Sequence, residues 1–483
     1  MKKTFFVLIL TAACNIPLLC QQIYTLDEAL AVALKKSYSI KSAELNLKNS
    51  KKTLESAQMG QRTSVSMEFD MPSYARTLSN QFNTETGSEQ FYQTESTVEE
   101  GRLYITQPLV FSNGTISIVG RLFGRNQLSP LGDNVRDYYS NLSFRLQQPL
   151  FTFNTQKANL EKAELNLEKA ERNYNKAKMD IVYDVTALFY NLYQAKKNLE
   201  IAQEKVDQNE AAYETAQNKF KAGLIAEVEA LQLELDLASG KNTLLSAKRS
   251  FEEAKSDFKL QLGLELNSDI DVVASLGYKP IEVNVEKATE LALRNRYEIQ
   301  NAESDIKINE LGRDELSSKG NVRVDLSANY GINKDDNKFR DIFYGFAEDR
   351  SVTMTLSVPI WDWGSNRIAV EASEANLDLL KLTKQNQTNL IINEIKQVVN
   401  KIESSKARVE ALSKTVELAE KSYQISLARF QSGTITSFDL SQMQIRLSDA
   451  RTNSLNALID YKLAVADLNR KTLYDFDKEH INK

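Results

Sequence analysis

The chain has 483 residues, room for two or three ordinary domains, with 60 basic and 65 acidic side chains for a net charge of −5. That mild acidity excludes a nucleic-acid binder, which needs clustered basic charge. The only histidine is His480, three residues from the C-terminus, and the two cysteines are Cys14 and Cys20, so no metal-spaced His/Cys cluster is present.

Residues 1–20 read as an export signal: Lys2 and Lys3 precede an apolar run, Phe5 to Ala13, too short to span a bilayer. Cleavage is expected near Cys20, with lipid modification of Cys14 as the alternative. Either way the mature chain keeps no disulfide. The next pattern has period two. Val65, Met67, Phe69 and Met71 alternate with Ser64, Ser66, Glu68 and Asp70, giving a strand over about 62–72. Residues 73–100 are polar and read as an exposed loop. An extra apolar hairpin is expected over 102–123, turning at Asn113-Gly114. A second strand covers 140–150, through Leu142, Phe144, Leu146 and Leu150.

From 155 to 262 the chain reads as one long helical hairpin. Apolar positions step by threes and fours from Val185 through Leu192, Val206 and Tyr213 to Phe220, interrupted only by Asn209. That is a coiled-coil seam of about five heptads. Residues 265–284 read as a linker with a short strand, forming an equatorial belt. Then the order recurs: helix from about 285, strands at 321–330 and 351–360, a polar loop at 333–349, and a helical hairpin at 365–472. Residues 475–483 form a tail.

The recurrence is a duplication. At a constant offset of 210 residues Pro149 falls on Pro359, Phe151 on Trp361, Phe153 on Trp363, Phe220 on Phe430 and Gly223 on Gly433. The N-terminal helices match at an offset of 259, so the first copy, 21–264, carries an insertion of 259 − 210 = 49 residues, between about 73 and 140, relative to the second, 285–474. The strands, about ten residues long with one apolar and one polar side, suit a membrane barrel wall. Pro149, Phe151, Phe153, Pro359, Trp361 and Trp363 stand at the strand-to-helix joins, where an interfacial aromatic belt belongs. Four strands cannot close a barrel alone and open edges do not persist in lipid, so the chain must oligomerise.

With its duplicated helix–strand–strand–helix order, its "QPLF" and "VPIW" junctions and its "F-x-x-G" turns, the chain resembles the outer membrane efflux proteins, the TolC family. The resemblance covers essentially the whole mature length. It implies a mainly α fold with membrane β: a homotrimer whose four strands per chain close a 12-stranded outer-membrane β-barrel, continued by a long α-helical coiled-coil periplasmic tunnel. It further implies a passive exit duct for a tripartite efflux or type I secretion system. The partners would be outer-membrane lipid, a periplasmic membrane-fusion adaptor and an inner-membrane pump of RND or ABC type, with no cofactor, no metal and no catalysis. The alternative is a periplasmic coiled-coil adaptor or scaffold without a pore, but that class carries β-rich domains around a single hairpin.

Gly223 and Gly433 are expected to reverse the long helices in the left-handed conformation. The resemblance assigns adaptor docking to these tips: Phe220, Gly223, Leu224 and Ile225 in the first, Phe430, Gly433, Thr434 and Ile435 in the second. It places Glu229 and Asp439 at a periplasmic aperture, where a ring of carboxylates would favour cations. The family's polar latch near this tip is not matched, because Phe430 and Ile435 cannot make its bonds and Gln442 stands where a second acid might follow Asp439.

Overall fold

The computed structural model describes residues 22–83, 86–128, 135–274, 277–476 and 480–481. The expected export signal, with Cys14 and Cys20, therefore lies outside the described residues. In chain order the elements are β1 (Gln22–Tyr24), α1 (Leu26–Lys36), α2 (Tyr38–Met59), β2 (Ser64–Asn83), β3 (Ser88–Leu109), β4 (Gly114–Leu128) and β5 (Val135–Leu150). They continue as α3 (Thr155–Lys221), α4 (Glu227–Leu262), β6 (Ile270–Val272), α5 (Val285–Asn295), α6 (Tyr297–Lys319), β7 (Arg323–Asp336) and β8 (Ala347–Ser357). Last come α7 (Ser365–Gln431), α8 (Ser437–Thr472), β9 (Tyr474–Asp475) and β10 (His480–Ile481). The duplication is visible in the lengths: α3 and α7 both have 67 residues, α4 and α8 both have 36.

Two compact units result. The helical unit takes in residues up to Leu45, Asn173–Tyr297 and everything from Gln387. Its main core gathers Ala29 and Ala33 of α1, Ile181, Val185, Phe189 and Leu192 of α3, and Phe258 and Leu262 of α4, all buried. The predicted seam supplies these contacts: Val185, Leu192, Ala202, Val206 and Ala216 are buried in the first copy, Ile395, Val398, Ile402 and Tyr423 in the second. Asn209, the one polar interruption, is also buried. It packs against Gly240 and donates to the Asp236 carbonyl at 2.8 Å, so the small residue and the second lone pair of a helix carbonyl on α4 make its burial tolerable. The linker strand exists as β6, which pairs in parallel with β1.

The sheet unit comprises Asn46–Arg172 and Glu298–Asn386. Its sheet is antiparallel, with the order β2-β3-β4-β5-β7-β8. The expectation of four strands per chain is corrected here: one chain supplies six to a single sheet. The hairpin expected at 102–123 is not an appendage. It is β3 and β4, hydrogen-bonded on both sides within the same sheet. Nor is 73–100 a loop, since β2 and β3 pair from Ser64–Thr106 out to Asn83–Ser88, with one irregularity between Asp70 and Ser73. Pro72 lies inside that irregularity and has no N–H to give the ladder. The segment misleads because beyond the apolar band nothing forces one side to be greasy, so the alternation fades.

Register sorts the side chains cleanly. Cross-strand partners share a face, and one face runs Met67, Leu103, Gly120, Leu142, Ile332 while the other runs Arg102, Arg121, Asn141, Asn333. On the polar face Val119 and Ser143 are buried, whereas Leu142 and Phe144 on the apolar face stand nearly half exposed. The sheet thus curves round its polar face. Part of the segment 333–349, expected as a polar loop, folds onto the apolar face instead. Ser140 donates to the Ile342 carbonyl at 2.6 Å, Ile342 is fully buried, and Phe339 meets Tyr138 and Phe343 edge-on at 5.5 Å.

Candidate functional site

The two helix reversals share one backbone device. In the first tip the Gly223 N–H donates to the Phe220 carbonyl at 2.8 Å and the Leu224 N–H to Lys219 at 2.9 Å. In the second, Gly433 donates to Phe430 at 3.0 Å and Thr434 to Arg429 at 2.9 Å. This pair of bonds is the Schellman closure, and it needs a left-handed residue after the helix. Gly223 has φ 72° and Gly433 φ 76°, as expected.

The side chains around that backbone differ. Phe220 is 40% exposed and Leu224 73% exposed, but Phe430 is 2% exposed. Phe430 packs with Ala212, Ala216, Ala230, Leu233, Tyr423 and Leu440, with Ile225 and Ile435 at the edge. Lys219 lies over its ring at 4.6 Å and donates to its carbonyl. Phe430 is thus corrected from an exposed docking residue to a core residue that binds the two tips together. Ile225 and Ile435 are half-buried, and Thr434 is exposed.

The acids also divide. Asp439 closes a capping box: its N–H donates to the Thr436 hydroxyl at 3.2 Å, and its carboxylate accepts from the Thr436 N–H at 3.2 Å and hydroxyl at 2.9 Å. The matching N-cap of α4 is Ala226, which has no hydroxyl. Glu229 reaches across instead and accepts from the Ser437 N–H at 3.4 Å. Both carboxylates therefore sit at the positive end of the α8 dipole, where negative charge is stabilised.

Further along α8 lies a polar clamp that the sequence did not reveal. Arg451 donates to Glu204 of α3 and to Glu420 of α7, each at 2.7 Å, while the buried Gln444 donates to the Lys205 carbonyl at 3.3 Å. Its members are 31 and 247 residues apart, so only the fold brings them together.

At the strand-to-helix joins Phe151, Trp361 and Trp363 are each at least 75% exposed, and the two tryptophans meet edge-on at 5.4 Å. Phe153 is half-buried, Pro149 pairs opposite Asp325 in the β5–β7 ladder, and Pro359 is exposed. The copies turn at different places: Phe151 has φ 58° in the first, Trp363 φ 58° in the second, although Phe151 corresponds to Trp361. Asn154 caps α3 by accepting from the Lys157 N–H at 2.9 Å, and Asp362 accepts from the Asn366 N–H ahead of α7, also at 2.9 Å. No described helix is long and apolar enough to cross a membrane.

A family model described as outer membrane efflux protein matches residues 119–263 and 288–472. The chain belongs to that family. It is 24% identical over 327 residues to Nodulation protein T of Rhizobium leguminosarum bv. trifolii, spanning 66% of this chain and 68% of that one. In structure it resembles the CmeC outer membrane channel of Campylobacter jejuni, with TM-score 0.71, 15% identity, and coverage of 95% of this chain and 86% of the other. It also resembles the outer membrane protein VceC of Vibrio cholerae, with TM-score 0.69, 16% identity, and coverage of 95% and 97%. The fold is that of these outer-membrane channels, a helical tunnel with a membrane sheet. The family match begins at Val119, inside β4, so β2 and β3 lie ahead of it.

Proposed function

We propose that this chain is the outer-membrane exit duct of a tripartite efflux or type I secretion system, acting as a homotrimer. One observation carries the reading: a six-stranded antiparallel sheet with an apolar face, a polar face and two unpaired edges, β2 and β8. Such a sheet is unstable alone in lipid and complete only when copies close a barrel whose polar face lines water. A pore-free scaffold has no use for it. Transport energy then comes from an inner-membrane pump of RND or ABC type, and a periplasmic membrane-fusion adaptor meets the tips at Phe220, Gly223, Leu224 and Thr434. Glu229 and Asp439 stand near the periplasmic aperture and bias it toward cations.

The test is fractionation followed by mild detergent extraction. The full chain should stay in outer membranes through salt and carbonate washes, migrate as a trimer, and conduct ions in planar bilayers. Release by carbonate, or a stable monomer, would overturn the duct reading. Glu229→Ala with Asp439→Ala should lower cation preference; unchanged selectivity would mean the acids serve only as helix caps.

A further inference from the structure

We propose that the inserted hairpin β3–β4 is membrane wall, so that three copies close an eighteen-stranded barrel in which β2 of one copy pairs with β8 of the next. This rests on the trimeric-duct reading and fixes the strand count and the seam that the reading leaves open.

Three observations point to wall rather than plug or flap. First, pairing is continuous: β3 bonds β2 from Thr106 to Ser88, and β4 bonds β5 from Thr115 to Gln127, so neither inserted strand has a free edge. Second, the apolar band crosses the insertion without a step. Ile105 and Ile118 pair directly, between Val65 on one side and Phe144 on the other. A hairpin destined for water or for the lumen would have no reason to keep that face greasy in register with its neighbours. Third, its turn is fastened at the end of the sheet where α3 begins. Asn113, at φ 60°, accepts from the Thr155 hydroxyl at 3.0 Å and the Gln156 N–H at 3.3 Å, and Asn154 donates to the Val110 carbonyl at 2.6 Å.

The polar face of the insertion is equally organised. Arg102 pairs with Glu68 at 3.8 Å, with Asp70, and with Glu100 at 3.4 Å; Arg121 pairs with Glu100 at 2.5 Å. These five side chains form a ladder across β2, β3 and β4, facing the lumen in the proposed barrel.

The remaining edges select the occupant. β2 and β8 are the outer strands, and their side chains are exposed on both faces over residues 64–70 of β2 and 347–356 of β8. β2 runs away from α2 and β8 runs back toward α7, so a second copy presents the antiparallel partner the sheet already uses throughout. Both edges carry the same apolar rows, Val65, Met67 and Phe69 on β2 against Val352, Met354 and Leu356 on β8. An unpaired edge does not persist in hydrocarbon. Barrel diameter grows nearly linearly with strand number, so eighteen strands make a wall about half as wide again as twelve.

The test uses disulfide cross-linking of the full chain in outer membranes. Ser64→Cys, Ser66→Cys, Thr353→Cys and Thr355→Cys are combined as β2–β8 pairs, with Ser117→Cys plus Thr353→Cys as the β4–β8 comparison. At least one β2–β8 pair should yield a covalent trimer, and the comparison and every single cysteine should yield none. A β4–β8 cross-link in its place, or a cross-link within one chain between Ser66→Cys of β2 and Ser143→Cys of β5, which the inserted strands hold apart, would overturn the proposal in favour of a twelve-stranded wall, leaving the duct intact. A native trimer showing neither link would overturn it too. Absence of any oligomer would remove the duct reading itself, and the eighteen strands with it.

Discussion

The two helix tips have the same backbone and opposite side-chain economies. The second is closed: Phe430 is core, and Thr436 with Asp439 closes a capping box. The first is open: Phe220 and Leu224 face outward, Ala226 offers no cap, and Glu229 serves the other tip. Duplication copies the chain reversal, and after that the copies are free to specialise. One tip became the foundation, and the other kept the exposed apolar surface a partner can use.

The sharpest way to break this comparison is to truncate both aromatics. Phe430→Ala empties a packed core position and should cost about 3–5 kcal/mol, read as a large fall in thermal midpoint of the detergent-solubilised protein. Phe220→Ala should leave that midpoint nearly unchanged and weaken cross-linking to the cognate adaptor. Equal loss of stability would show the tips to be equivalent.

Replacing the glycines tests the backbone they share. A Cβ built on either Gly223 or Gly433 meets no atom within 4 Å, so the cost is conformational alone. Gly223→Ala and Gly433→Ala should each cost about 1–2 kcal/mol. Tryptophan adds bulk at the surface. Gly223→Trp and Gly433→Trp should leave the trimer intact, with adaptor cross-linking lost more fully at the first tip. Trimer and cross-linking falling together would make the glycines structural caps only.

The caps sharpen the difference further. Thr436→Ala removes the hydroxyl's arm of the box, leaves the bond from the residue-436 N–H to Asp439, and should cost about 0.5–2 kcal/mol, while Ala226→Thr should install a cap with Glu229 and stabilise α4 by about half to one kcal/mol. A destabilised Ala226→Thr would mean that the bond from the Ser437 N–H to Glu229 matters more than a local cap.

Much of this was legible in the sequence, for identifiable reasons. The 210-residue offset, the long helices and both left-handed glycines follow from periodicity and punctuation that act locally. Asn113-Gly114 marked the inserted turn correctly. The strand count failed because a hairpin such as β3–β4 states that it is a hairpin, never which neighbours it pairs with. Alternation also fades beyond the apolar band, where β2 and β3 keep pairing without lipid on one side. Phe430 was misplaced because an aromatic before a glycine turn reads alike whether it faces the seam or the water. The Arg451 clamp joins three helices and leaves no short-range trace.

The smallest effect concerns an exposed face of α7, where the copies again differ. Glu417 accepts from Lys414 at 2.7 Å and from Lys421 at 2.9 Å. Its first-copy counterpart, Asp207, accepts from the amide of Gln203 at 2.8 Å. Hydrogen bonds from the two lysines, then their charge, lower the Glu417 carboxyl from 4.5 to about 2. A depressed carboxyl contributes stability that is fully present above its unfolded value, near 4.5, and is lost as the pH falls through the folded value. The thermal midpoint of the wild type should therefore exceed that of Glu417→Gln by a constant small margin above about pH 4.5, and the margin should close as the pH approaches about 2. Salt should shrink it as well, because the groups are solvent-exposed and screened. A margin that persists at the acid end would mean that packing of the glutamate stem, not its charge, distinguishes this helix from its copy.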